Sequence, residues 1–222
     1  MRVLAVETST LAGGVALLDG DRLVAEYVLD VSVTHSERLM ATVERVLQDA
    51  RWGAEDLQGL AVAMGPGSFT GLRIGVSTVK GLAFALDVPV AAVPTLDAFA
   101  SRLPFAALPV CPVLNARRGE VYACLYRWDG GMRRAWDYLA LPPGALAARL
   151  TEPTVVVGDG AASIVSPHAR PGPPSLRVPS PAAIGFLGLE RLRAGEVVKP
   201  AELAPLYLRP SQAELKRHAA NR

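Results

Sequence analysis

The chain has 222 residues, half of them apolar and a fifth charged, with a formal net charge of +2. This profile excludes a disordered chain, and a charge so near neutral gives no electrostatic argument for nucleic-acid binding. The length allows one large domain or two lobes of about 100 residues each. Asp87 and several prolines interrupt the apolar stretches, so no transmembrane helix is expected. Only four apolar residues separate Arg2 from Glu7, too few for a secretory signal, and a cytoplasmic location without membrane contact is expected. Cys111 and Cys124 lack CxxC spacing and lie in apolar runs, which predicts buried reduced thiols, no metal and no disulfide framework.

In chain order, residues 2–7 form an apolar run closed by Glu7, Thr8 and Ser9, and Gly13-Gly14 leads into a second strand over Val15–Leu18. Asp19-Gly20-Asp21 is a turn, and Leu23–Leu29 makes the third strand of a meander. Residues 36–50 switch to helical period, with Leu39, Met40, Val43, Val46 and Leu47 on one face and Ser36 as N-cap. Strand Leu60–Met64, a glycine-rich loop, helix 71–86 and strand Val88–Val93 follow. The order βββαβαβ predicts an α/β protein with the ribonuclease-H-like, actin-type (ASKHA) fold: two lobes of mixed sheets flanked by helices. The lobes are expected at residues 1–103 and 104–208, followed by a basic tail over 209–222 that carries Lys216, Arg217, His218 and Arg222.

A short helical stretch over Leu96–Arg102 leads to the second lobe, where Val110–Leu114, Val121–Trp128 and Arg133–Leu139 read as strands. Residues 143–150 suggest a short helix and Val155–Val157 a buried strand. Pro167–Pro181 reads as loop, Ile184–Arg193 as a helix and Leu203–Leu208 as a terminal strand. Arg117, Arg118 and Glu120 occupy a strand connection. Two arginines there suit a phosphate or carboxylate, and a solvated turn fits equally well.

The loop Gly65, Pro66, Gly67, Ser68, Phe69, Thr70, Gly71, Leu72, Arg73 organises the first lobe. Strand, glycine turn and helix in that order frame either a tight structural turn or a phosphate-approaching loop, and spacing leaves both open. Gly65, Gly67 and Gly71 are expected at positive φ or close contacts, with Ser68 or Thr70 capping the helix. A Walker A loop would need Lys where Leu72 stands, and neither the dinucleotide fingerprint nor a nucleophile elbow fits Pro66 and Thr70.

The whole string is more specific than those patterns, and it resembles the signature of the bacterial TsaB (YeaZ) family. Val3–Ser9, Asn115–Tyr122 and Pro205–Arg209 agree with it, densely to about residue 127. The resemblance implies the same ASKHA-type fold. It also implies a non-catalytic scaffold that pairs with a TsaD-like catalytic chain and a TsaE-like ATPase, to install a threonylcarbamoyl group on adenosine 37 of tRNAs reading ANN codons. By the same resemblance the chain carries no catalytic residues and no cofactor, forms a homodimer when alone, and meets tRNA through the complex. In the wider superfamily an acid ending the first strand holds metal. Glu7 replaces the usual aspartate there, so Glu7, Thr8 and Ser9 are read as a vestigial nucleotide and metal position. The catalytic TsaD-like cousins carry H-x-x-x-H where this chain has Thr95 and Phe99, and Phe99 cannot ligate a metal. Asn115 likewise stands where the family motif usually has aspartate.

Helix 71–86 is apolar around most of its circumference, which predicts burial on more than one face. The expected partner surface therefore combines Leu39, Met40, Val43 and Leu47 with Leu72, Gly75, Val76, Val79 and Ala83. Two rivals stand beside the scaffold reading. One is a small phosphotransferase using Glu7, Ser9 and the glycine loop. The other is an RNA-binding module, for which only the basic tail speaks, since no aromatic platform or basic stripe is visible in the sequence. Proteolysis is not expected: HExxH is absent, and His35, His168 and His218 lie at no metal spacing.

Overall fold

A computed structural model describes residues 1–30 and 35–208. The first sheet opens with the meander β1 (Arg2–Glu7), β2 (Gly13–Asp19) and β3 (Arg22–Leu29). Helix α1 (His35–Ala50), β4 (Gly59–Gly65), helix α2 (Phe69–Leu86), β5 (Val90–Pro94) and the short helix α3 (Thr95–Ser101) follow. Strand order is β3-β2-β1-β4-β5, with β4 parallel to both β1 and β5. The second sheet comprises β6 (Val110–Arg117), β7 (Glu120–Ala123), the hairpin β8 (Tyr126–Trp128) and β9 (Met132–Arg134), and β10 (Leu139–Leu141). Helix α4 (Pro143–Arg149), β11 (Thr154–Val157), β12 (Ala169–Pro171) and helix α5 (Pro181–Arg193) complete the elements. Its order is β10-β7-β6-β11-β12, with the β8–β9 hairpin attached to β6.

Strand alternation divides the first sheet's side chains between two cores. Leu4, Val6, Val15, Leu17, Leu60 and Val62 meet α1 and α2 on one face. Val3, Ala5, Ala16, Leu18, Ala61 and Ala63 meet Ile184, Leu189 and Leu192 of α5 on the other. Because both faces are covered, β1 and β4 read as continuous apolar runs rather than alternating ones. Among the described residues α2 alone is long and apolar enough to cross a membrane by composition. It lies on β4 and α1 instead, as a flanking helix of this sheet.

Several expectations change. Residues 121–128 do not form one strand: the chain leaves β7 at Cys124-Leu125 and re-pairs as β8, and Ala135 N donates to Leu125 O at 2.7 Å. Arg133–Leu139 divides in the same way, into β9 and β10. Leu203–Leu208 is irregular, since Pro205 has no N–H and Leu206 N→Met64 O (2.6 Å) is the backbone bond that ties the segment to β4. Helix α5, placed by sequence order in the second lobe, returns to cover the first sheet. Strand β12 arises inside the expected proline-rich loop. Ser36 lies in the first turn of α1 rather than before it. The tail over 209–222 lies outside the described residues.

Candidate functional site

Parallel strands β1, β4 and β5 end on the same edge of the sheet, so Glu7, the glycine loop and Thr95 come together there. Glu7 ends β1 with no exposed surface. One of its carboxyl oxygens accepts a hydrogen bond from Ser9 N, and the other finds no partner among the described residues. Burial pushes its carboxyl up to about 7, against the hydrogen bonding of Ser9, which lowers it. The hydroxyls of Thr8 and Thr95 are also buried without a hydrogen-bond partner among the described residues. Burial so complete disfavours the charged form of the acid.

The glycine loop closes on this turn. Ser68 N donates to Ser9 O at 2.6 Å, and a Cβ at Gly67 would lie 2.3 Å from the same oxygen. Gly67 is therefore needed for close backbone approach. Of the three loop glycines expected at positive φ, Gly65 has it (107°), while Gly67 and Gly71 do not. Ser68 caps α2, accepting from Gly71 N at 3.3 Å; Thr70 sits inside the helix. The peptide between Gly65 and Pro66 is cis. The carbonyl of Leu206 lies over Gly65, where a Cβ would approach it to 2.9 Å. Phe69, Arg73 and Tyr207 complete the enclosure. The Arg73 guanidinium lies 3.8 Å from the Phe69 ring centroid and Nε donates to the Tyr207 hydroxyl at 2.9 Å, while the Phe69 and Tyr207 rings are 4.9 Å apart.

Thr95 and Phe99 are both buried, and Phe99 packs with Leu96, Val110 and Tyr126. Ring carbon thus fills position 99 and leaves no ligand atom there. In the second lobe, Arg118 and Gly119 form the exposed turn between β6 and β7, and Asn115 N donates to Asp159 Oδ1 at 2.9 Å. Burial raises the Asp159 carboxyl. Cys111 and Cys124 are buried free thiols, pushed up to about 12 and about 11 by desolvation.

The expected partner residues mostly point the other way. Leu39, Val43 and Leu47 of α1, and Leu72, Gly75, Val76, Val79 and Ala83 of α2, are buried in the chain's own core. Met40 alone of that set is exposed. The outer stripe of α2 is Thr70, Arg73, Ser77, Gly81 and Phe84 instead, with Phe84 87% exposed and open space where a Gly81 Cβ would project. Sequence reading also missed a polar cluster between the lobes. Asp97 of α3 accepts from Tyr126 (2.6 Å) and Tyr138 (2.7 Å), with Arg191 of α5 at 3.9 Å. A polar residue at an otherwise apolar helix position, Asp97 within Thr95–Ser101, was the available signal.

The family model of tRNA N6-adenosine threonylcarbamoyltransferase (TsaD) matches residues 29–140. Over 97% of both chains, the sequence is 33% identical to the tRNA threonylcarbamoyladenosine biosynthesis protein TsaB of Bacillus subtilis (strain 168). The chain belongs to the TsaB family. The TsaB of Escherichia coli (strain K12) is 36% identical over 58% of this chain and 56% of its own. The solved structure of YeaZ from Pseudomonas aeruginosa is 31% identical, with a TM-score of 0.79 over 93% of this chain and 99% of its own. The two-sheet α/β architecture expected from strand order is thus a TsaB-family fold.

Proposed function

We propose that the chain is the non-catalytic scaffold of a tRNA-threonylcarbamoylating assembly, paired with a TsaD-like catalytic chain of related fold and with a TsaE-like ATPase, in the cytoplasm. The observation that carries this reading is the end-to-end likeness to a protein named for threonylcarbamoyladenosine biosynthesis. Three features of the would-be active edge support the absence of catalysis in this chain. Glu7 is sealed, and burial raises its carboxyl to about 7. The amide of Ser68 is bonded to Ser9 rather than left to meet a phosphate. Phe99 fills a position that holds a metal ligand in the cousins.

The partner surface in this reading is the outer stripe of α2 with the exposed Met40 side of α1. Small residues at Ser77 and Gly81 let a second helix approach closely, and Phe84 supplies an aromatic anchor. Two such faces form a two-fold helix bundle in a homodimer, and the same face serves the catalytic chain in competition. The test is reconstitution: catalytic chain, ATPase and threonylcarbamoyl donor are incubated with tRNA, with and without this chain. Modification that depends on it is the expected result, with calorimetry of the isolated chain detecting no micromolar magnesium-ATP site. Undiminished modification in its absence, or a nucleotide-dependent phosphotransfer by the chain alone, would overturn the reading.

A further inference from the structure

Among the described residues, the β8–β9 hairpin hangs on the second sheet through a single strand pairing, Val110 with Tyr126, and β9 has no strand neighbour except β8. Its register sets Arg127 directly opposite Arg133 on one face. Like charges so placed oppose each other, and the carboxylate that answers them is Glu152, which pairs with Arg127. Arg149, three residues before Glu152, lays its guanidinium 4.9 Å over the ring of Trp136, which follows β9. Arg127 is thus held by Glu152 and Arg149 covers an indole, while Arg133, exposed beside Arg127, forms no ion pair among the described residues, and neither does Arg149.

The opposite face of the hairpin presents Trp128, with the ring of Phe105 against it at 4.6 Å and 49°. Phe105 is 78% exposed and sits at φ 60°. A left-handed backbone is costly for an aromatic residue and is retained where the surroundings or a function demand it. Arginines on a free edge are a common guard against strand-to-strand aggregation, but that role does not account for a strained, outward-facing ring.

We propose that this hairpin binds single-stranded RNA crossing its β9 edge, with Arg133 on one face neutralising phosphate while the exposed ring of Phe105, backed by Trp128 on the other, stacks a base. The proposal rests on the tRNA-modifying role above and names the surface through which the chain itself would touch the substrate. Flat aromatic surface and anionic backbone occur together in single-stranded nucleic acid, whereas an acidic protein satisfies only the arginines.

The test is fluorescence anisotropy of a labelled anticodon-loop oligonucleotide with the full chain, over a salt series. Binding should weaken linearly in log salt, and Arg133→Glu should weaken it at least about tenfold at low salt while flattening that slope. Phe105→Asn, chosen because asparagine tolerates the left-handed backbone, should also cost about tenfold but leave the slope unchanged. Both side chains are exposed, so melting temperatures should stay at the wild-type value. No binding by the wild-type chain, binding indifferent to both variants, or equal competition by polyglutamate each overturns the proposal. Reconstituted modification separates this result from the reading beneath it. If modification depends on the chain but the oligonucleotide does not bind, only the hairpin proposal falls. If the oligonucleotide binds as described but modification does not need the chain, the scaffold reading falls alone.

Discussion

Tyr126 in the second lobe donates its phenolic hydrogen to Asp97 in the first, at 2.6 Å, and is almost wholly buried in doing so. Tyr138 donates to the same carboxylate oxygen at 2.7 Å. Burial pushes both phenols far above their ordinary range, with Asp97 adding to the shift. Three elements, α3, β8 and the segment before β10, therefore meet at one acid. Tyr126→Phe should lower unfolding stability by about 1.5–3 kcal/mol, the worth of a hydrogen bond to a charged acceptor. Asp97→Ala should cost more, because the buried Tyr126 and the half-buried Tyr138 lose their acceptor together. Urea denaturation of the two single variants and the double would show non-additivity if the cluster acts as a unit.

Glu7 should make the chain less stable as pH rises. Its folded-state value of about 7 lies above the ordinary 4.5, so the folded form holds the proton more tightly. Stability is full below about 4.5, falls through the window up to about 7, and is flat beyond it, with a loss of roughly 3 kcal/mol for a shift of this size. Glu7→Gln should remove that slope and leave the chain more stable than wild type at pH 8. Melting temperatures measured from pH 5 to 8 decide it: parallel curves for the two proteins would mean that Glu7 does not titrate in this range.

Gly67→Ala should destabilise by about 1–3 kcal/mol, as overpacking does, because the new methyl meets the Ser9 carbonyl. The penalty is steric and does not come from a forced φ angle, so Gly67→Asn should be no better tolerated than alanine. Ser68→Ala removes one cap and should cost about 1 kcal/mol or less. Chemical denaturation of the three variants orders these effects.

The inner and outer faces of α2 should separate folding from assembly. Val79→Arg places a charge in the core against the sheet and should prevent folding. Gly81→Arg enters open space on the outer stripe, keeps the fold, and should abolish self-association and capture of the catalytic chain. Light scattering and circular dichroism on both variants are sufficient. A folded Gly81→Arg variant that still assembles places the partner surface elsewhere.

The sequence by itself determined the succession of elements in the first lobe, because each apolar run is bounded by its own turn: Asp19-Gly20-Asp21, Gly13-Gly14 and the loop at Gly65. It determined the family too, through a string whose spacing no generic motif shares. It could not say which side of α2 is inward. Residues Leu72, Val76, Val79 and Ala83 are chemically no different from the remaining apolar positions, and only their seating on β4 and α1 selects them. The second lobe was less legible because its strands are three or four residues long and change partners at Leu125, which periodicity does not register. The return of α5 to the first sheet, the meeting of Asp97 with Tyr126 and Tyr138, and the pairing of Arg127 with Glu152 join residues distant in the chain. Such contacts are set by how the two sheets close on each other, so the tertiary structure alone decided them.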